Sequence, residues 1–92
     1  MKITLTERFQ RECEDLQETQ KSQVFSTLLK LPGAVRESQR HSGLGLRKIH
    51  TSGIFEARVG LGLRIVFGFE RETLTLHRVG THDEIQKYLR NL

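Results

Sequence analysis

The sequence contains few of the residues that build cross-linked or membrane-embedded proteins. Its 92 residues include one cysteine, one proline and no tryptophan. A single cysteine cannot form an internal disulfide or a cysteine-rich zinc site, so a disulfide-stapled secreted scaffold is excluded. No apolar stretch approaches the ~18 residues of a membrane span. The first residues lead directly into a strand pattern rather than a signal-peptide core. We therefore expect a cytoplasmic protein with no membrane partner.

The positive charge is concentrated in the middle of the chain. The net charge is +4, and residues 30–64 hold seven lysines and arginines against Glu37 and Glu56. Such a local excess favours a polyanionic partner, because neutralising phosphates releases their counterions. An ordinary solvated basic surface explains this feature equally well.

The N-terminal third shows one strand pattern followed by two helical patterns. Ile3 and Leu5 alternate with polar residues, which predicts a short strand, and Thr6 then precedes a helix that buries Cys13. A second helix is predicted up to Leu31, because Pro32-Gly33 is a strong helix stop. Residues 33–45 are expected to form a loop or a frayed helix.

The rest of the chain has the spacing of strands joined by short turns. Strands are predicted over 46–50, 54–59, 63–69 and 73–79, and a polar helix from about 83 to 89. Short connections imply antiparallel neighbours. The expected architecture is α+β in one domain over residues 1–92. An N-terminal strand and a helical hairpin pack on one face of a mostly antiparallel, four- to five-stranded sheet, with a short C-terminal helix.

Strand alternation places several cations on the opposite face of this sheet. Arg58 and Arg64 have the parity opposite to the apolar residues of their strands, so we expect them on a solvent-facing side. In the strand before them, Lys48 shares its parity with His50. Such a face is suited to binding phosphate, although a solvated face is the alternative.

The parity of the last strand leaves two arrangements open. Strict alternation would place His77 on the cationic face and Arg78 on the apolar face. A bulge, or the end of the strand near Gly80, would reverse this.

Three stretches of the chain resemble the RelE/ParE superfamily of toxins. They are the basic strand Leu46-Arg47-Lys48, the segment Gly53-Ile54-Phe55-Glu56-Ala57-Arg58, and the strand Leu63-Arg64-Ile65-Val66-Phe67. The C-terminal stretch from His77 to Glu84, the order of the elements and the length are also similar. The resemblance implies a RelE-like fold and the toxin of a type II toxin–antitoxin system. In the RNase branch, such a toxin is an mRNA interferase that cuts messenger RNA on the ribosome through the 2'-hydroxyl, with no metal and no cofactor.

The same resemblance implies roles for individual residues and partners. It implies catalytic roles for four residues, which are Arg64, His82, Lys48 and His50. It implies RNA contacts for three more, which are Arg47, Arg58 and Arg78. The implied partners are a cognate antitoxin, the ribosome and mRNA.

The chain departs from the family pattern at two positions. Gly45 stands where YoeB-like members carry a glutamate base, and Tyr88 lies further on than the catalytic tyrosine of other members. Both departures shift the proton chemistry to His82 and His50, since histidine serves as acid or base near neutral pH. For His82 the alternative is an exposed histidine that caps the last helix. For the whole protein the alternatives are a ParE-like toxin that binds DNA gyrase, or a non-catalytic member that binds RNA or protein.

Overall fold

Within residues 1–37, 45–50 and 53–92, the parts of the chain that the computed structural model describes, five strands and three helices follow one another. Of His50 only the backbone is described. The elements are β1 (Lys2–Leu5), α1 (Glu7–Glu14), α2 (Glu18–Arg36), β2 (Arg47–His50), β3 (Ile54–Val59), β4 (Leu63–Glu70), β5 (Thr73–Thr81) and α3 (His82–Arg90). No helix in these ranges has the length and apolarity to cross a membrane.

The strands form one mixed sheet in the order β1-β5-β4-β3-β2. Only the pair of β1 and β5 is parallel among the described strands; the other three pairs are antiparallel. The chain returns to the sheet through α1 and α2 after β1, while β3, β4 and β5 are joined by tight turns. The predicted α+β architecture with a mostly antiparallel sheet is therefore confirmed.

The main core lies between one face of the sheet and the helices α1 and α2. Phe9 of α1 and Val24 and Leu31 of α2 are buried there against apolar side chains of β3, β4 and β5. The predicted helix stop at Pro32-Gly33 is wrong, because α2 continues to Arg36. Leu31 and Ala34 on either side of the proline are both buried, and their packing keeps the last turn helical despite the missing N–H.

The C-terminal helix α3 covers the face of the sheet opposite the main core, called the second face below. Strand parity predicts that this face is exposed to solvent. Val66 and Ile85 are completely buried, yet neither belongs to the main core cluster. Because α3 packs on β4 and β5, and Val66 points away from the core, Ile85 and Val66 form a smaller apolar layer on that face. The expectation that α3 extends over about 83 to 89 is confirmed, but the face it covers is only partly open.

A β-bulge in β5 resolves the parity of the last strand. Val66 pairs with Arg78 and Phe67 pairs with Leu76, so His77 is the extra residue. The bulge shifts Arg78 to the second face beside Val66, while Leu76 and Val79 both stay in the core. The ring of His77 lies against Gly68, where a Cβ would come within 3.3 Å of its Nε2.

The tight turn between β4 and β5 offers the first test of the fold. Arg71 and Glu72 both have positive φ, 50° and 61°, the geometry of a type I′ turn that asparagine and glycine prefer. We expect Arg71→Asn to stabilise the protein by about 0.5–1 kcal/mol by relieving left-handed strain, which corresponds to a rise in Tm of about 2–8 °C. Arg71→Ala is the matched control, because alanine keeps the strain. Equal Tm values for the two variants, measured by circular dichroism, would contradict this interpretation.

The half-buried His77 predicts a pH dependence of stability. Burial lowers the pKa of His77 below its ordinary value of 6.5. The unfolded chain therefore takes up this proton at a higher pH than the folded protein does, so stability falls as the pH drops below about 6.5. His77→Gln should reduce the loss of unfolding free energy between roughly pH 7.5 and 5.5, measured by urea unfolding. Gln86→Asn, which changes no titratable group, is the control and should leave the wild-type loss unchanged. An undiminished loss in His77→Gln would show that other groups cause it.

Candidate functional site

Two arginines lie side by side at the end of the sheet where β5 leads into α3. Arg58 pairs across the strands with Arg64, and Arg64 pairs with Gly80, two residues before His82. Like charges placed directly opposite each other destabilise a sheet. The register therefore gathers Arg58, Arg64 and His82, three of the residues singled out from the sequence, at one end of the second face.

Gly45, just before β2, packs directly against Arg58. Gly45 has a φ of +63°, a conformation that other residues adopt only with strain. A Cβ at this position would collide with the guanidinium of Arg58. Arg58 thus lies against the backbone of Gly45, and a side chain at position 45 would displace it.

Glu56, which the sequence analysis did not single out, is a buried carboxylate in β3 that contacts an arginine in each neighbouring strand, β2 and β4. Glu56 is only 4% exposed. Its Oε1 lies 3.7 Å from Nε of Arg64 and 3.5 Å from Nε of Arg47. Its Oε2 is buried and has no hydrogen-bond partner among the described residues. Glu56 shares its parity with Arg58, and this was the signal in the sequence that could have identified it.

The contacts of Arg64 hold its guanidinium in one place. Besides the contact with Glu56, its Nη1 donates a hydrogen bond to the carbonyl oxygen of Leu63 at 3.1 Å. Its side chain keeps 19% of its surface exposed. Arg64 is thus a fixed, accessible cation next to a buried negative charge, an arrangement suited to holding a phosphate group.

His82 is the first residue of α3, and its backbone is fixed by a capping box. The hydroxyl of Thr81 accepts from the N–H of Glu84 at 3.2 Å, and Oε1 of Glu84 accepts from the N–H of Thr81 at 2.8 Å. The bond from the Thr81 N–H lowers the pKa of Glu84, against a smaller opposing effect of burial. Because Thr81 is the cap, His82 is not needed for that role, and its side chain is exposed.

Arg78 lies on the same face but is engaged by other elements. Its Nε donates to Oε2 of Glu12 at 2.7 Å, and its Nη2 contacts the same oxygen. Its guanidinium carbon lies 5.0 Å from the ring centroid of Tyr88 in α3. The structure therefore places Arg78 on the second face as a buried, ion-paired residue, one row of the sheet away from the pair of Arg58 and Arg64.

A second irregularity in the sheet shifts the pairing register within β2. Arg47 pairs with Glu56, but Lys48 pairs with Phe55, and the register then shifts before His50. The register puts Arg47 on the second face and Lys48 on the other side of the strand, and the shift between Lys48 and His50 breaks the parity that the sequence predicts for these two residues. The side chain of His50 lies outside the described residues.

A shallow cleft of about 360 Å³ nevertheless joins β2 to α3. Arg47, Lys48 and Arg90 line it, together with Ile49, Gln86 and Leu89. The cleft continues the positive charge from the sheet end along the edge of the second face.

The residues capable of binding metal are dispersed. Within the described ranges no three of His, Cys, Asp and Glu come together as a possible metal site. Cys13 is half-buried and packs against the main core, as expected, and burial raises the pKa of its thiol.

Comparisons with solved structures identify the fold. No protein-family model matches the sequence, and no curated relative does. The isolated RelE toxin of Escherichia coli superposes with a TM-score of 0.69 at 15% identity, over 99% of this chain and 98% of that one. YafQ of E. coli gives 0.65 at 14% identity, over 90% and 94%.

The third comparison is with the RelB–RelE antitoxin–toxin complex of Methanococcus jannaschii. It gives a TM-score of 0.64 at 17% identity, over 92% of this chain and 96% of that one. All three structures match nearly end to end. At these low sequence identities the similarity shows a shared fold and nothing more specific. The chain has the fold of the RelE-type toxins.

Proposed function

We propose that this protein is the toxin of a type II toxin–antitoxin system and an endoribonuclease that cuts mRNA on the ribosome. The observation that carries the proposal is the cross-strand pair of Arg58 and Arg64 beside the exposed His82. The fold shared with the RelE toxin and YafQ of E. coli supports it.

Cleavage of RNA through its own 2'-hydroxyl has three chemical requirements. A base takes the 2'-proton, an acid protonates the leaving 5'-oxygen, and cations stabilise the pentacoordinate phosphorus. In this proposal Arg64 stabilises the phosphate, because a guanidinium bonds two of its oxygens at once. His82 transfers one of the two protons, since histidine serves either role near neutral pH.

The second proton role is assigned to β2. Lys48 and His50 are the candidates, with Lys48 at the cleft between β2 and α3. Glu56 orients Arg64 from below through the contact between Oε1 and Nε, and so leaves Nη2 and the second hydrogen of Nη1 for the substrate. The reaction proposed here uses side chains alone.

The RNA backbone follows the remaining cations. Arg58 lies next to Arg64, Arg47 contacts the opposite side of Glu56, and Arg78 is in the adjacent row. Arginines spaced along one sheet face neutralise successive phosphates, which makes binding dependent on salt.

The proposed protein partner is a cognate antitoxin. Homologous folds have been solved as complexes with antitoxins, among them RelB–RelE of M. jannaschii and YoeB–YefM of Staphylococcus aureus. An acidic antitoxin segment over Arg47, Arg58 and Arg64 would mask the phosphate contacts. The ribosome and mRNA are the other proposed partners.

Induction of the toxin followed by primer extension on cellular transcripts tests the proposal. We expect new 5' ends within translated codons. An SOS response without cuts would instead indicate a gyrase poison. Growth inhibition with neither result, or no inhibition, would indicate a non-catalytic member of the fold.

His82→Gln tests the proton transfer. Glutamine keeps similar size and hydrogen bonding, but its amide neither gains nor loses a proton near neutral pH. Single-turnover cleavage on programmed ribosomes should therefore slow by ~100-fold or more. Ribosome binding, measured in parallel, should barely change, because the defect is in the transition state. Arg11→Gln, at an exposed cation on α1, is the control and should cleave like the wild type. A loss below about tenfold would assign the proton chemistry to other residues.

A further inference from the structure

Glu12 of α1 reaches the second face of the sheet from outside the proposed site. Beyond Leu76 the edge of β5 has passed the end of β1, since their pairing stops at Leu5 and Leu76. α1 takes over this edge. Oε1 of Glu12 accepts from the N–H of Val79 at 3.0 Å, while Oε2 accepts from Nε of Arg78.

This single carboxylate restrains Arg78 in two ways. Two of the three guanidinium nitrogens, Nε and Nη2, contact Oε2 of Glu12. The bond to Val79 fixes the backbone immediately after the bulge that turns Arg78 onto the second face. The Tyr88 ring, 5.0 Å from the guanidinium carbon, limits it on a further side.

The charges around Arg78 show what happens without Glu12. Arg8 also stacks on Tyr88, at 5.8 Å, and Lys87 lines the same cleft of about 580 Å³. Arg8, Arg78 and Lys87 repel one another in this cleft, which Glu84 also lines as a second carboxylate near Arg78. Oε2 of Glu12 offsets this repulsion, because it contacts Arg78 and lies 3.8 Å from Nε of Arg8.

We infer that Glu12 is a positioning residue of the RNA site, acting through Arg78. It keeps the guanidinium of Arg78 fixed at the cleft that it lines with Arg8 and Lys87, so that the RNA backbone meets an ordered cation at that opening. The inference rests on the proposed function and adds to it a residue from a helix that contributes nothing else to the site.

Glu12→Gln separates this role from a purely structural one. The amide oxygen of glutamine still accepts from the N–H of Val79, but its NH₂ group faces the donors of Arg78 and releases the guanidinium. Because Arg78 contacts the backbone equally in the ground and transition states, the half-saturating ribosome concentration for cleavage should rise about tenfold, a typical coupling within one ion-pair network. The rate at saturation should be unchanged.

Two comparisons complete the experiment. Glu7→Gln removes another carboxylate of α1, one that pairs only with Arg11 among the described residues, and should leave cleavage unchanged. In the Arg78→Gln background, Glu12→Gln should have no further effect on half-saturation, because the residue it acts through is gone.

The outcomes that overturn the inference differ from those that overturn the proposed function. Unchanged half-saturation in Glu12→Gln, an equal rise in the Arg78→Gln background, or a loss confined to the amplitude of cleavage would each overturn the positioning role. A loss of amplitude alone reports a smaller folded fraction. Absence of cleavage by the wild type would overturn the proposed function itself, and with it the reaction that Glu12 serves.

Discussion

The placement of Arg78, and of the end of β5 that leads into α3, depends on the bulge in β5. β5 is paired on both sides, with β1 over its first half and with β4 along its length, so its register is tightly fixed. One extra residue, His77, lets Leu76 and Val79 both stay in the core while Arg78 turns to the other face. Without it, the strand after Leu76 would present its charged residue to the core, at a desolvation cost that no single hydrogen bond offsets. The bulge therefore satisfies the core and supplies a cation to the second face at the same time.

Because α3 covers the centre of that face, the charged residues fall into two environments. In the row of Glu56, Val66 and Arg78, all three residues are buried, and each of the two charges is paired. In the next row, at the sheet end, Arg58 is exposed and Arg64 is partly exposed. Arg78 in the first row is held by Glu12 and lines the cleft beside Tyr88, whereas Arg58 and Arg64 in the second row are accessible at the sheet end. In the proposed function the cleaved phosphate meets the second row, and the RNA backbone reaches Arg78 through the cleft.

The sequence predicted the elements better than it predicted the faces. Alternating and helical spacing located all five described strands and three helices, because burial of one face imposes a period that a single chain shows directly. The helix stop predicted at Pro32 is wrong, because the packing of Leu31 and Ala34 outweighs the local helix-breaking effect of the proline. Strict alternation could not predict the two register shifts, at His77 and before His50. The position of a bulge depends on pairing with the neighbouring strands, which the alternation within one strand does not show. Arg64 and Arg58 could be assigned to the second face for the opposite reason: their strands are regular.

Glu56 explains why the arginine pair persists at this position. Two arginines directly opposite on neighbouring strands lower the stability of a sheet, and nothing in the fold alone requires them. The buried carboxylate lies in the adjacent row and contacts Arg64 and Arg47, so it offsets part of the repulsion. Its second oxygen, without a partner in the part of the chain that the structure describes, is a cost that remains. A fold selected for stability alone would replace these polar residues with apolar ones, as buried charge networks often allow. In the proposed function, a phosphate of the RNA completes this balance of charge at the exposed end of the face.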